Sequence, residues 1–100
     1  MANNITYVKN TKVKMVFIVG IDTNDVDTDK SYVWMKKSDG IKVKLSIDDT
    51  DSDNQAVIHY STNDDFNIEG TYIVQPYIVL KDDGGEFLCE EDIFYVREEI

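Results

Sequence analysis

Residues 32–47 read Tyr32-Val33-Trp34-Met35-Lys36-Lys37-Ser38-Asp39-Gly40-Ile41-Lys42-Val43-Lys44-Leu45-Ser46-Ile47. Val33 and Met35 alternate with Tyr32, Trp34 and Lys36. Ile41, Val43, Leu45 and Ile47 alternate with Lys42, Lys44 and Ser46. Successive side chains of a strand point to opposite faces, so each run reads as a half-buried strand. Asp39-Gly40 between two alternating runs signals a hairpin, because glycine takes a positive φ without a Cβ clash. Residues 31–37 and 40–47 are therefore expected to pair as neighbours.

The same period of two extends outward. Ile5 to Lys9 reads as a short first strand, and Lys12 to Val19 as a second, apolar on both faces near its end. Gln55 to Ser61 is rich in β-formers, and Thr71 to Leu80 is the longest β-branched run. Phe87 to Arg97 closes the chain, with an irregularity expected around Glu90-Glu91-Asp92 and a turn over Lys81 to Glu86. Seven short strands about ten residues apart point to an antiparallel sandwich or barrel. No amphipathic helical stripe is present, and the one candidate helical turn is Asp64 to Glu69. Pro76 has no N–H for a ladder, so it marks an edge position or a bulge, and an edge is expected. No linker or repeat divides the chain, and residues 1–100 read as one domain.

The chain has 100 residues, 20 acidic and 10 basic, with a net charge of -10. Clustered Lys and Arg are what a nucleic-acid backbone requires, so direct nucleic-acid binding is not expected, nor is an anionic membrane surface. The longest apolar run, Met15 to Val19, is too short to span a bilayer, and the N-terminus lacks the basic and apolar regions of a secretory signal. Cys89 is the only cysteine, which excludes an intrachain disulfide and fits a reducing compartment.

Residues 65–80, Asp-Phe-Asn-Ile-Glu-Gly-Thr-Tyr-Ile-Val-Gln-Pro-Tyr-Ile-Val-Leu, resemble a recurring segment of small immunoglobulin-like virion proteins of tailed phages. N-terminal domains of the baseplate upper protein family belong to this group. Asp65, Phe66, Gly70, Thr71, Tyr72, Val74, Gln75 and Tyr77 match the pattern. Upstream, Ile21-Asp22-Thr23 and the basic Lys36-Lys37-Ser38-Asp39-Gly40 hairpin are similar, with Ser38 where proline is common. Downstream, Gly84-Gly85-Glu86-Phe87 and Ile93-Phe94-Tyr95-Val96 resemble the last turn and strand. The resemblance covers about residues 12–97 and implies an all-β, immunoglobulin-like sandwich with a structural role in the particle and no catalytic residues.

The residues support that fold independently. Gly70-Thr71-Tyr72 opening a strand reads as a tyrosine corner, in which the Tyr72 hydroxyl ties a crossover loop to the sandwich. Antibody-type domains place a cysteine two residues later, where this chain has Val74, so apolar packing is expected to replace the disulfide. Alternation assigns Tyr72, Val74, Ile78 and Leu80 to the core, together with Ile58, Phe66, Val43, Leu45, Met35, Phe94 and Val96. Gln75 and Tyr77 then face outward.

Few constellations suggest chemistry. His59, the only histidine, sits in an expected strand with no nucleophile turn nearby, so it reads as an ordinary strand residue. Asp25, Asp27 and Asp29 alternate as candidate calcium ligands, but Lys30 and Lys36 occupy the sixth and twelfth positions of an EF-hand frame. With Asp48-Asp49-Thr50-Asp51-Ser52-Asp53-Asn54, they read as two solvated acidic turns, and neither metal nor cofactor is expected. Cys89 beside Glu90 and Glu91 is not expected to be a reactive thiolate.

Charge is unevenly spread. Residues 36–44 carry four lysines against Asp39. If Val33 and Met35 face the core, Tyr32 and Trp34 face outward beside Lys42 and Lys44, an arrangement that suits an interface. The competing reading makes Trp34 the buried tryptophan of an immunoglobulin third strand. The expected interaction residues are therefore Tyr32, Trp34, Lys42, Lys44 and Tyr77, with Gly70 and Tyr72 as the structural corner. The resemblance implies a virion protein assembled in the host cytoplasm. Auxiliary capsid decoration is preferred, and a head–tail or baseplate adaptor is the alternative. Partners would be major capsid, head–tail or baseplate proteins, with homo-oligomerisation left open. Rival readings are an acidic nucleic-acid mimic that inhibits a host enzyme, and a carbohydrate- or metal-dependent adhesion module using the acidic loops.

Overall fold

The computed structural model describes residues 6–9, 12–62 and 64–98. Ile5, the expected start of the first strand, and the N-terminal residues read for a leader lie outside them. Nine strands follow in order: β1 (Thr6–Val8), β2 (Lys14–Ile18), β3 (Tyr32–Lys36), β4 (Lys42–Ser46), β5 (Asp49–Asp51), β6 (Ala56–Tyr60), β7 (Gly70–Val79), β8 (Glu86–Leu88) and β9 (Asp92–Arg97). The larger sheet has the order β1-β9-β7-β3-β4, with β8 also paired to β7. The smaller has the order β2-β6-β5. All neighbours are antiparallel except β1 and β9. The second, fifth and sixth strands form one sheet, and the third, fourth, seventh and last form the other. This is the connectivity of an immunoglobulin-like β-sandwich with an extra strand after the third.

Nine strands stand where seven were read. β5 is added, and the last run is divided into β8 and β9 by the irregularity at Cys89 to Glu91. Cys89 therefore lies in a break and not within a strand. Both pieces lie along one edge of β7, β8 on Tyr77 to Val79 and β9 on Gly70 to Val74. Pro76 falls between them. Its carbonyl accepts from Cys89 N–H at 2.9 Å, so its missing N–H points at the gap. An interior strand thus holds a proline because its partner is interrupted there, which corrects the expected edge position.

The hairpin pairs Tyr32 with Ser46, Trp34 with Lys44 and Lys36 with Lys42. Gly40 closes it at φ 89°, and the Asp39 carboxylate accepts from Ile41 N–H at 3.0 Å. The expected helical turn at Asp64 to Glu69 is a series of turns. The helical element among the described residues is a 3-10 turn at Thr23–Asp25, capped by Asp22, which accepts from Asn24 N–H.

The inner faces enclose Met15, Val33, Met35, Leu45, Phe66, Tyr72, Val74, Phe94 and Val96. Val26, Val57 and Ile78 form a second cluster, and Phe17 and Ile47 pack against both. Tyr7, Phe66, Tyr72 and Phe94 stack and edge onto one another at centroid separations of 4.9–5.9 Å. Ile58 is buried as expected, at 4% exposure, but its register differs from that of its neighbours. It pairs with outward Val16 and Asp49, whereas Val57 and His59 pair with inward Phe17 and Met15. Ala56-Val57-Ile58 is apolar throughout, so alternation carries no phase there.

Candidate functional site

The outer face of the larger sheet is built by alternation on three adjacent strands. Tyr32, Trp34 and Lys36 project from β3, Lys42 and Lys44 from β4, and Ile73, Gln75 and Tyr77 from β7. Their inward neighbours Val33, Met35 and Val74 are buried. Register places Tyr32 opposite Tyr77 and Trp34 between Lys44 and Gln75. The rings of Tyr32 and Trp34 meet edge-on at 5.3 Å, and those of Tyr32 and Tyr77 lie 5.0 Å apart. Lys44 Nζ sits 4.4 Å from the Tyr32 centroid and 5.2 Å from that of Trp34, and Lys42 Nζ sits 5.9 Å from Trp34. Such cation–π contacts hold the ammonium groups over the rings while leaving them in solvent. Trp34 is half-buried on the outer face, and Met35 fills the core beside Val74.

This face brings together Tyr32, Trp34, Lys42, Lys44 and Tyr77. It continues onto Leu88, 54% exposed, which pairs with Tyr77 across β8. The break between β8 and β9 opens a shallow concavity lined by Trp34, Lys36, Lys42, Ile73, Gln75, Leu88 and Glu91. Gln75 closes its floor by donating from Nε2 to the Cys89 carbonyl at 3.0 Å. The Glu86 carboxylate as hydrogen-bond acceptor, then burial, then the Glu86 charge push the Tyr77 pKa up to about 12.

Gly70 and Tyr72 lie elsewhere, at the crossover between the sheets. The Tyr72 hydroxyl donates to the Ile68 carbonyl at 2.7 Å, and burial raises its pKa. Lys37 Nζ, on the β3–β4 turn, donates to the Asp64 carbonyl at 3.2 Å and to Asn67 Oδ1 at 3.0 Å.

The acidic turns are occupied with their own backbone. Asp27 Oδ1 accepts from the N–H groups of Asp29 and Lys30. Asp51 accepts from the Asn54 side chain and from the backbone of Asn54 and Asp53, which lowers its pKa. Among the described residues, Asp25, Asp27 and Asp29 do not converge into a group of three that could hold a metal ion. Burial raises the Cys89 thiol above its ordinary range.

One constellation escaped the sequence. His59 is 6% exposed and faces inward, with Nδ1 2.8 Å from the Ser46 carbonyl and Nε2 3.2 Å from Asp65 Oδ2. Asp48 Oδ2 lies 3.2 Å from Nδ1. A carbonyl only accepts, so Nδ1 carries a proton. The ring braces the end of β4 to the crossover that carries Phe66. Asp65 also accepts from Thr62 N–H at 3.0 Å. The polar pattern His59…Asp65 was the available signal, but it has no fixed spacing in sandwich folds.

The smaller sheet also exposes apolar surface, at Val16 (48%) and Ile18 (74%) on edge strand β2. No protein-family model and no curated protein matches this sequence.

Proposed function

We propose that the chain is a non-enzymatic structural protein of a tailed-phage virion that docks on other particle proteins through the outer face of its larger sheet. The observation that carries the docking reading is the Tyr32–Trp34–Tyr77 aromatic row beneath Lys42 and Lys44. Interface centres favour large rigid aromatics, which bury much area at little entropic cost. The virion setting is supported by the resemblance of residues 65–80 and of the basic hairpin. Auxiliary capsid decoration suits a small acidic sandwich with one built face, and a head–tail or baseplate adaptor would use the same face.

The test is mass spectrometry of purified particles from the phage or lysogen that encodes the chain, followed by localisation in the particle density. Recovery at stoichiometric copy number supports the reading, and absence from purified particles overturns it. Trp34→Ala should be incorporated at least about tenfold less well while remaining folded, as for a central interface aromatic.

A further inference from the structure

We infer that the outer face of the larger sheet pairs with the same face of a second copy of this chain, about a twofold axis near Gln75. The inference rests on the reading of that face as the docking surface and names its partner. The carrying observation is how charge is divided across the face. Lys36, Lys42 and Lys44 occupy the β3–β4 half, and all three are exposed. Glu86 on β8 and Glu91 just after it lie on the far side of β7, also exposed, and the one basic residue of β8 and β9, exposed Arg97, sits at the distant end of β9. Among the described residues the ion pairs are Lys9–Glu98, His59–Asp48 and His59–Asp65, so none of these five charges has an ion-pair partner there; Lys42 and Lys44 contact aromatic rings, and Glu86 accepts from Tyr77.

A twofold interface is isologous, and when its axis lies in the face and runs between two patches, each patch meets the other patch of its copy. Here that operation lays the lysine half of one copy on the glutamate half of its partner, twice. The aromatic row and Leu88 fall between the two charged zones, where apolar contact is best shielded from water. A face of uniform charge would repel its copy, and this divided one does not. The face spans four strands, β4, β3, β7 and β8, about 4.8 Å apart, and so narrow a patch buries little area for a specific interface, which makes the dimer weak. The net charge of -10 on each copy opposes association at low salt. At physiological ionic strength that repulsion is screened beyond about 8 Å, whereas facing pairs act at contact.

The test uses sedimentation equilibrium on the full chain with two charge-reversed variants, Lys42→Glu/Lys44→Glu and Glu86→Lys/Glu91→Lys. All four positions are exposed, and circular dichroism checks that each variant folds. Wild type should show a monomer–dimer equilibrium, and each variant alone should dimerise at least about tenfold more weakly, because like charges then face each other. An equimolar mixture should form a heterodimer of roughly wild-type strength, since one charge contact is then the native one and the other is its reverse. Net charge alone predicts otherwise: the second variant, at -6 in place of -10, would associate more strongly than wild type. A dimer indifferent to both reversals, or a mixture that stays monomeric, overturns the inference. A monomeric wild type overturns self-pairing, and it leaves the docking face standing if Trp34→Ala is still lost from particles.

Discussion

Ser38, on the turn of the β3–β4 hairpin, lies against the bare Cα of Gly70. Its Oγ donates to the Glu69 carbonyl at 2.6 Å, and a Cβ on Gly70 would overlap the Ser38 side chain. Gly70 also holds φ 129°, which side-chain-bearing residues rarely adopt. The hairpin and the crossover are thus locked at a point where no side chain fits.

Gly70→Ala should destabilise the domain by about 1–3 kcal/mol, the usual cost of overpacking. Ser38→Gly in the same chain should recover part of that loss, because it removes the clash and leaves the φ strain. Urea melts of the two single variants and the double variant measure this. A strictly additive result would show that Ser38 is not what Gly70 accommodates.

The Tyr72 corner separates a hydrogen bond from a buried ring. Tyr72→Phe loses the bond donated to the Ile68 carbonyl and the longer one accepted from Ile68 N–H at 3.4 Å, and should cost about 1 kcal/mol. Tyr72→Ala also empties a site packed against Phe66 and Phe94, for about 3–5 kcal/mol. Equal, small effects of the two changes would remove the corner from the account of the fold.

Asp48 gives a pH dependence of known sign. Burial raises its pKa, but the bonds from Ser46 Oγ and Tyr60 N–H and the neighbouring His59 outweigh that and hold it below its ordinary 3.8. A depressed carboxyl adds stability above its unfolded pKa and loses it as pH falls through the folded value. Asp48→Asn should therefore be less stable than wild type at pH 7, and the gap should close as pH falls below about 3.8. Denaturant midpoints of both proteins at several pH values test this, and a gap that widens with acid would refute the sign.

Trp34, the only tryptophan, reports its own surroundings. In the monomer, iodide should be repelled by the acidic chain less than expected near Lys42 and Lys44, and neutral acrylamide should quench strongly. Trp34→Ala should cost about 1 kcal/mol or less, as at other surface sites. A blue-shifted, unquenched signal in the monomer would place the ring in the core and remove the centre of the face.

The hairpin and the corner were legible because their signals are local. Asp39-Gly40 with flanking alternation sets the β3–β4 pairing. Gly70-Thr71-Tyr72 marks a strand start whose hydroxyl reaches only four residues back. Alternation around buried Val33 and Met35 likewise put Tyr32 and Trp34 on the outer face. Where alternation fails, the local pattern leaves the phase of a strand open. Ala56-Val57-Ile58 is apolar on both faces, and its phase follows from pairing with Met15 and Phe17, some forty residues away.

By itself, then, the sequence determined most of the strand segments, where the sharpest turns fall and which side of β3 is wet, since each depends on neighbours within a few residues. Tertiary structure decided the rest through hydrogen-bond ladders that join distant segments. Asp49-Thr50-Asp51 has little strand character and becomes β5 because β6 offers it partners. Pro76 is tolerated inside the larger sheet because β8 and β9 part opposite it. His59 acquires its acceptors only when the end of β4 and the crossover close over it. The divided charge of the outer face exists only because β8, with Glu86, is laid along the edge of β7 opposite the strand that carries Trp34. Register between strands is a long-range property, and no local pattern encodes it.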